Sequence, residues 1–290
     1  MAELVPPIAG DAAAVPRPRS LRSWCALLAV YGRLVGAKTR ADYQYRTSFF
    51  LFLLSQALVA CLDMVVLFVI FGQVQTLEGW TRPQVLLLYA LSGVGFGLGD
   101  LFVSQVELVA RHIRAGTFDQ FLLRPIGALW QLSALEFAPR RIGRLIQPAI
   151  VLVLVLPALD VEWTPLKVLL VPVTVVCGAV VFGAIWVSTS SLAFVVVNTQ
   201  EIANSFTYGG SFITQYPIDV LAPWLRRFFT FVIPLAFVCY FAAAYIVGQP
   251  LPDGVPGWFS FAAPLVAAAS ALIARALWRA GIRHYRSTGS

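Results

Sequence analysis

The chain has 290 residues, of which 59% are hydrophobic and 12% charged, with a mean hydropathy of +0.79 and a net charge of +7. A soluble domain carries roughly 45–50% apolar and about 25% charged residues, so a soluble globular protein is excluded: too few polar residues remain to cover its surface. Nineteen of the 21 basic residues are arginine and sit between long apolar runs. That placement fits anionic headgroups and a positive-inside bias and speaks against a nucleic-acid-binding face.

Residues 1–20 hold Pro6, Pro7, Pro16 and Pro18 among many alanines and read as a disordered cytoplasmic tail. No basic start leads into an apolar core there, so the segment is not read as a signal peptide. From 21 to 40, Leu21, Trp24, Leu28, Tyr31 and Val35 recur at helical spacing. Arg22, Arg33 and Arg40 fall within roughly 20° of one another on the opposite side of that helix. A wide apolar face with a narrow basic stripe predicts an amphipathic helix lying in the membrane interface.

A crossing needs about 20 mostly apolar residues. Ser48–Phe71, Gln84–Gln105, Leu145–Leu159 (starting upstream near Phe137), Lys167–Val197 and Trp258–Trp278 meet that need. Between 198 and 247 two candidates compete. Gln200–Tyr216 is moderately apolar; Phe228–Val247 is strongly apolar but broken by Pro234, and hydropathy favours it. Trp80, Trp163 and Trp258 fall at span edges, where indole prefers to sit. The flanks sort by charge. Seven basic residues precede the first span, six lie in the loop after the second, and four lie in the C-terminal region. Placing these on one side puts both termini in the cytoplasm and gives an even number of crossings, six being the best count.

Within the second span, Gly93/Gly97 and Gly95/Gly99 form two small-xxx-small pairs, which favour close helix packing in lipid. They are not a phosphate loop, and no Walker A pattern occurs in the chain, so any ATPase is another polypeptide. Asp63 and Asp100 are carboxylates in or near the membrane, where charge is costly and a functional role is the default hypothesis; a structural partnership with interfacial arginine is the plainer reading. Cys25, Cys61, Cys177 and Cys239 share no metal or redox spacing. His112 and His284 lack ligand neighbours, and no metal site is expected. Ser188, Ser190 and Ser191 have no histidine placed to activate them, and HExxH is absent, which disfavours intramembrane hydrolases.

The loop after the second span is the most specific local signal. Val106, Val109 and Ile113 share a helical face, with Glu107, Arg111 and Arg114 at polar positions. Gly116 can end this helix, Asp119 can cap the next turn, and Arg124-Pro125 then stops it. A short helix held between two crossings is suited to receive force from a soluble partner.

Gly116-Thr-Phe-Asp-Gln-Phe-Leu-Leu-Arg-Pro125, following a basic amphipathic helix, resembles the signature of ABC-2 type permeases, the membrane subunits of ATP-binding-cassette exporters. Tyr216-Pro-Ile-Asp-Val-Leu-Ala-Pro-Trp-Leu-Arg-Arg with Phe231-Val-Ile-Pro-Leu-Ala-Phe237 is similar to a second segment of that family. The resemblance runs from about 21 to 286 and implies an all-α polytopic membrane protein of about six transmembrane helices in a single permease domain, with 287–290 as a tail. Residues 21–40 become the interface helix. Residues 106–122 become the coupling helix, with Glu107, Arg111, Arg114, Gly116, Phe118, Asp119, Leu123, Arg124 and Pro125 as its coupling residues. Gln200–Tyr216 becomes the fifth span. Residues 221–247 become an outer re-entrant hairpin bent near Pro234 and entered through Tyr216 and Pro217.

The resemblance further implies two ATPase subunits carrying ATP and Mg²⁺, with no cofactor in this chain. It implies a second permease, identical or homologous, a bacterial plasma membrane with its lipids, and an amphipathic cargo: lipid, peptide, polysaccharide or natural-product drug. The substrate-binding residues stay unknown. The importer-type coupling motif, beginning Glu-Ala-Ala, is not matched by Glu201-Ile-Ala-Asn, which favours export. The competing reading is an ion- or proton-coupled secondary transporter using Asp63 and Asp100; the span pattern shows no inverted repeat to support it. A membrane scaffold without transport is the third.

Overall fold

The computed structural model describes residues 21–123, 127–196, 200–252 and 254–285, with backbone alone for 21–30, 42, 200, 202 and 203. The two tails, Arg124, Pro125 and the side chain of Arg22 lie outside the described residues. Among those described, helix dominates and the sheet is one two-residue pairing, so the chain is an all-α polytopic membrane protein.

The amphipathic segment forms α1 (Leu21–Tyr43). Arg33 and Arg40 are exposed, and Tyr31 meets Trp130 edge-on at 6.1 Å between ring centroids. Helix α2 (Arg46–Gln73) follows. A hairpin of β1 (Thr76–Leu77) and β2 (Trp80–Thr81) then reverses the chain. Its turn residues Glu78 and Gly79 have φ of 48° and 81°, the paired left-handed conformations of a two-residue turn matched to strand twist. Thr81 and Gln84 exchange a capping box at the start of α3 (Arg82–Phe102). Trp80 corrects its expected interfacial position: it is 1% exposed and packs on the Tyr240 ring at 5.6 Å. Trp163 and Trp258 remain exposed.

The alternating glycines of α3 serve two neighbours at once. A Cβ at Gly93 would stand 2.7 Å from Pro148 Cβ, and one at Gly97 would meet Leu145 at 3.1 Å. Those at Gly95 and Gly99 would instead press on the Gly178–Ala179 backbone at 3.4 and 3.1 Å. One pair therefore admits α7 (Ile142–Val155) and the other admits α8 (Pro165–Ser191). Backbones approach this closely only where side chains are absent.

Between α3 and α7 run a 3₁₀ turn (Ser104–Leu108), α4 (Val109–Arg114), α5 (Asp119–Leu122) and α6 (Ala128–Leu135). After α8 come α9 (Gln200–Thr214), α10 (Pro223–Arg227) continuing into a π turn (Phe228–Val232), a 3₁₀ turn (Leu235–Phe237), α11 (Tyr240–Val247) and α12 (Ala263–His284). Among the described residues five helical segments are long and apolar enough to cross: Arg46–Gln73, Arg82–Phe102, Pro139–Ala158, Pro165–Phe194 and Ala263–His284. The last begins later than expected, because Trp258 belongs to a separate 3₁₀ turn, Gly257–Phe261. The sixth expected crossing, Gln200–Tyr216, is a helix of 15 residues. At about 1.5 Å per residue it reaches about 22 Å, short of a ~30 Å hydrocarbon core. The rival candidate, Phe228–Val247, is not one continuous helix: it breaks at Ile233 and Pro234, where a donor is lost.

Two apolar cores result. The larger centres on α3 and α8 and takes in Leu235–Ile246. The smaller gathers Val106, Val109, Phe118, Phe121, Leu132 and Trp278 beneath the loop between α3 and α7.

Candidate functional site

The loop following α3 is built inward from Phe118. The segment expected to couple, 106–122, comprises the end of a 3₁₀ turn and the two helices α4 and α5; Gly116, as its position suggested, ends the first, with a left-handed φ of +66°. His112 O accepts from both Thr117 N and Phe118 N, at 3.0 and 3.2 Å, closing the bend. Asp119 stands as the first residue of α5, with Phe118 rather than Asp119 at the cap position. Phe118 is fully buried, packed on Phe194 and Tyr285 at 5.3 and 5.0 Å between centroids. It therefore anchors the loop to the ends of α8 and α12. Val106 and Val109 are buried as their spacing predicts.

Above this anchor the surface is mixed. Arg111, Arg114, Gly116 and Gln120 are exposed, as are Leu122 and, at 85%, Leu123. Arg111 and His112 both reach Glu136, each at 3.3 Å, so α4 is braced against the end of α6.

Glu107 turns the other way. Its carboxylate lies 3.4 Å from Arg141 Nη2, while Arg141 Nη1 donates to Asp100 and to Ser104 Oγ. Asp100 is 2% exposed, and Arg144 stands 4.0 Å from its second oxygen. Two carboxylates thus face two guanidiniums, a match that buried charge requires. Burial, with Asp100 nearby, pushes the Glu107 carboxyl above the usual carboxylate range, and Arg141 opposes the shift. The cluster links the end of α3, the loop and the first turn of α7. Asp100 was legible as a partner for arginine; which arginine was not, since Arg141 is 41 residues away.

Asp63 is separate. It faces a cleft between α2, α3, α7 and α9, with Tyr89, Phe96, Arg144, Tyr208 and Gln215 among the walls. Tyr89 Oη lies 2.9 Å from Ala60 O and 2.7 Å from Gln147 Oε1. Ser92 and Thr214 hydroxyls meet at 2.5 Å. The Arg144 guanidinium lies over the rings of Phe96 and Tyr208 at 5.6 and 5.2 Å. Sequence spacing offers no route to this set, because four helices contribute to it.

In the third region Tyr216 is half-buried, Pro217 is buried and Pro234 lies at the break. Asp219 accepts from Tyr240 Oη at 2.5 Å and pairs with Arg226 at 3.5 Å. This ties the beginning of 219–240 to its end. Among the described residues no group of three or more His, Cys, Asp or Glu could hold a metal.

The sequence profile of the family described as "ABC-2 family transporter protein" matches residues 57–289. Neither the curated proteins nor the solved structures provide a match. With most of its length matched, the chain belongs to the ABC-2 transporter family, the membrane components of ABC transporters.

Proposed function

We propose that this ABC-2 family permease is the exporting half of an ATP-driven complex in a bacterial plasma membrane, with both termini cytoplasmic. It pairs there with a second permease, identical or homologous, and with two ATPase subunits that hold ATP and Mg²⁺. An amphipathic cargo (lipid, peptide, polysaccharide or natural-product drug) passes between the permeases.

The reading is carried by the loop between α3 and α7. Leu122, Leu123, Arg111 and Arg114 offer an apolar tip with basic flanks, set on a buried Phe118. Below, Glu107–Arg141 ties the same loop to a crossing helix. Docking at the tip would be transmitted as displacement of α7 rather than dissipated in a slack connector, the kind of packed two-state element that switching needs. Gly116 sets the bend, and Asp119 belongs to the docking turn, with Arg124 and Pro125 following it in sequence. Arg33 and Arg40 of the interface helix, exposed on α1, face anionic headgroups, with Arg22 on the same stripe by sequence spacing. Residues 221–247 form the outer re-entrant segment, entered through Tyr216 and Pro217, with Arg226 and Arg227 outside; this threading takes Gln200–Tyr216 as the sixth crossing, which its 15-residue helix would make across a locally thinned bilayer.

Co-purification with ATPases from the same genome tests the assignment, followed by ATP hydrolysis in reconstituted lipid. At least one ATPase is expected to bind, and Leu123→Asp is expected to abolish that binding while leaving insertion intact. Failure of every ATPase to bind overturns it. Labelling of Trp224→Cys from outside intact cells tests the re-entrant segment, and protection there places it inside.

A secondary transporter using Asp63 has one observation in its favour, the carboxylate's position in the cleft. It requires transport that follows the proton gradient without any ATPase. Asp100, held by two arginines, is a poor relay partner for it.

A further inference from the structure

Among the described residues around the intramembrane cleft, Asp63 is the acid without a direct ion pair. The neighbouring cluster closes on itself: Asp100 and Glu107 against Arg141 and Arg144. Arg144, which also lines the cleft, stands 4.0 Å from Asp100, lies over the faces of Phe96 and Tyr208, and acts on Asp63 at longer range without a direct ion pair. Among the described residues Asp63 makes no hydrogen bond and no direct ion pair, although it sits within a crossing helix. A carboxylate in that position is costly unless something meets its charge. The walls around it combine aromatic rings (Tyr89 and Phe212, with Phe96 and Tyr208 already covered by Arg144) with the neutral polar groups of Ser211 and Gln215, and no further acid. Pockets of this kind hold an apolar body by area and orient it through few polar contacts, and aromatic faces stabilise a cation beside a carboxylate.

We propose that this cleft binds a cationic amphipath, with Asp63 as its counter-ion. The inference rests on the permease reading above and narrows its cargo to molecules carrying a lipid-embedded positive charge. Anionic lipids and acidic polysaccharides are disfavoured at this site.

The test uses the full chain in phosphatidylcholine nanodiscs without ATPase. Tetraphenylphosphonium is the probe and tetraphenylborate, of the same shape and opposite charge, is its control, each measured above empty nanodiscs. Saturable binding of the cation alone is expected. Asp63→Asn should weaken it by about tenfold or more, the scale of one charge-assisted contact of about 1.5–3 kcal/mol, and Asp63→Glu should restore most of it. Equal binding of both ions, or an unchanged affinity in Asp63→Asn with native thermal stability, overturns the proposal. Because no ATPase is present, loss of cation selectivity leaves the permease reading standing. Failure of ATPase association with selective binding intact has the opposite meaning.

Discussion

Helices α2 and α3 are consecutive crossings with opposite fates. The first is the more apolar, yet along it only Ala60 and Leu67 are buried among the described residues; the second is less apolar, yet most of its residues are buried. In water the order would be reversed, because burial follows apolar area. In lipid the surrounding tails are as apolar as leucine, and close approach decides instead. Helix α3 carries Gly93, Gly95, Gly97 and Gly99, and so admits α7 and α8 to contact. Helix α2 presents Leu51, Leu54, Leu58, Leu62, Val65 and Val69 outward, each more than half exposed. Large side chains mark the lipid-facing or partner-facing helix, and missing ones mark the centre.

The contrast can be broken most severely at the foot of α3. Arg141→Leu strands Asp100 without its main partner, and losing one member of a buried pair costs about 3–5 kcal/mol. Thermal denaturation in detergent should show the largest fall of the series, and Asp100→Asn combined with Arg141→Leu should recover part of it. Next, Gly95→Leu should destabilise by about 1–3 kcal/mol or more through overpacking against Gly178, whereas Gly72→Leu, at a position with nothing within 4 Å on α2, should be nearly silent. Third, Leu62→Ala on the outer face of α2 should change monomer stability by no more than about 0.5 kcal/mol. If it instead weakens permease pairing in a crosslinking assay, α2 faces the partner rather than lipid.

The smallest effect is at Glu107. Its carboxyl is raised on folding, so the folded state holds the proton more tightly than the unfolded chain. That stabilisation is complete below the unfolded carboxylate range and is lost as pH rises through the raised folded value. Glu107→Gln should therefore flatten the decline in melting temperature over that interval, and an unaltered pH profile would contradict the assignment.

Much of this was written in local sequence. Apolar runs located five crossings, helical spacing located α1, and Gly116 marked the bend, because each is set by neighbours within a few residues. What eluded the sequence depends on distant partners. Trp80 turns inward because Tyr240 waits there. Asp100 finds Arg141 only after α6 has brought α7 back. The cleft around Asp63 needs four helices at once. Residues 200–247 resisted reading for another reason: a 15-residue helix and a chain of short turns carry no periodicity long enough to register.

Pro148 has a consequence beyond filling the notch at Gly93. Lacking an amide hydrogen, it leaves the carbonyl of Arg144 without its donor one turn on, the defect that lets helices flex at a defined point. That point falls at the level of the cleft, which both residues line. Below it, Arg141 stands just ahead of α7 and makes the link to the loop; above it the helix runs on to Val155. Helix α7 thus lacks one backbone hydrogen bond at the level of the cavity, so that a displacement of the helix from below would be felt first in the cavity's wall.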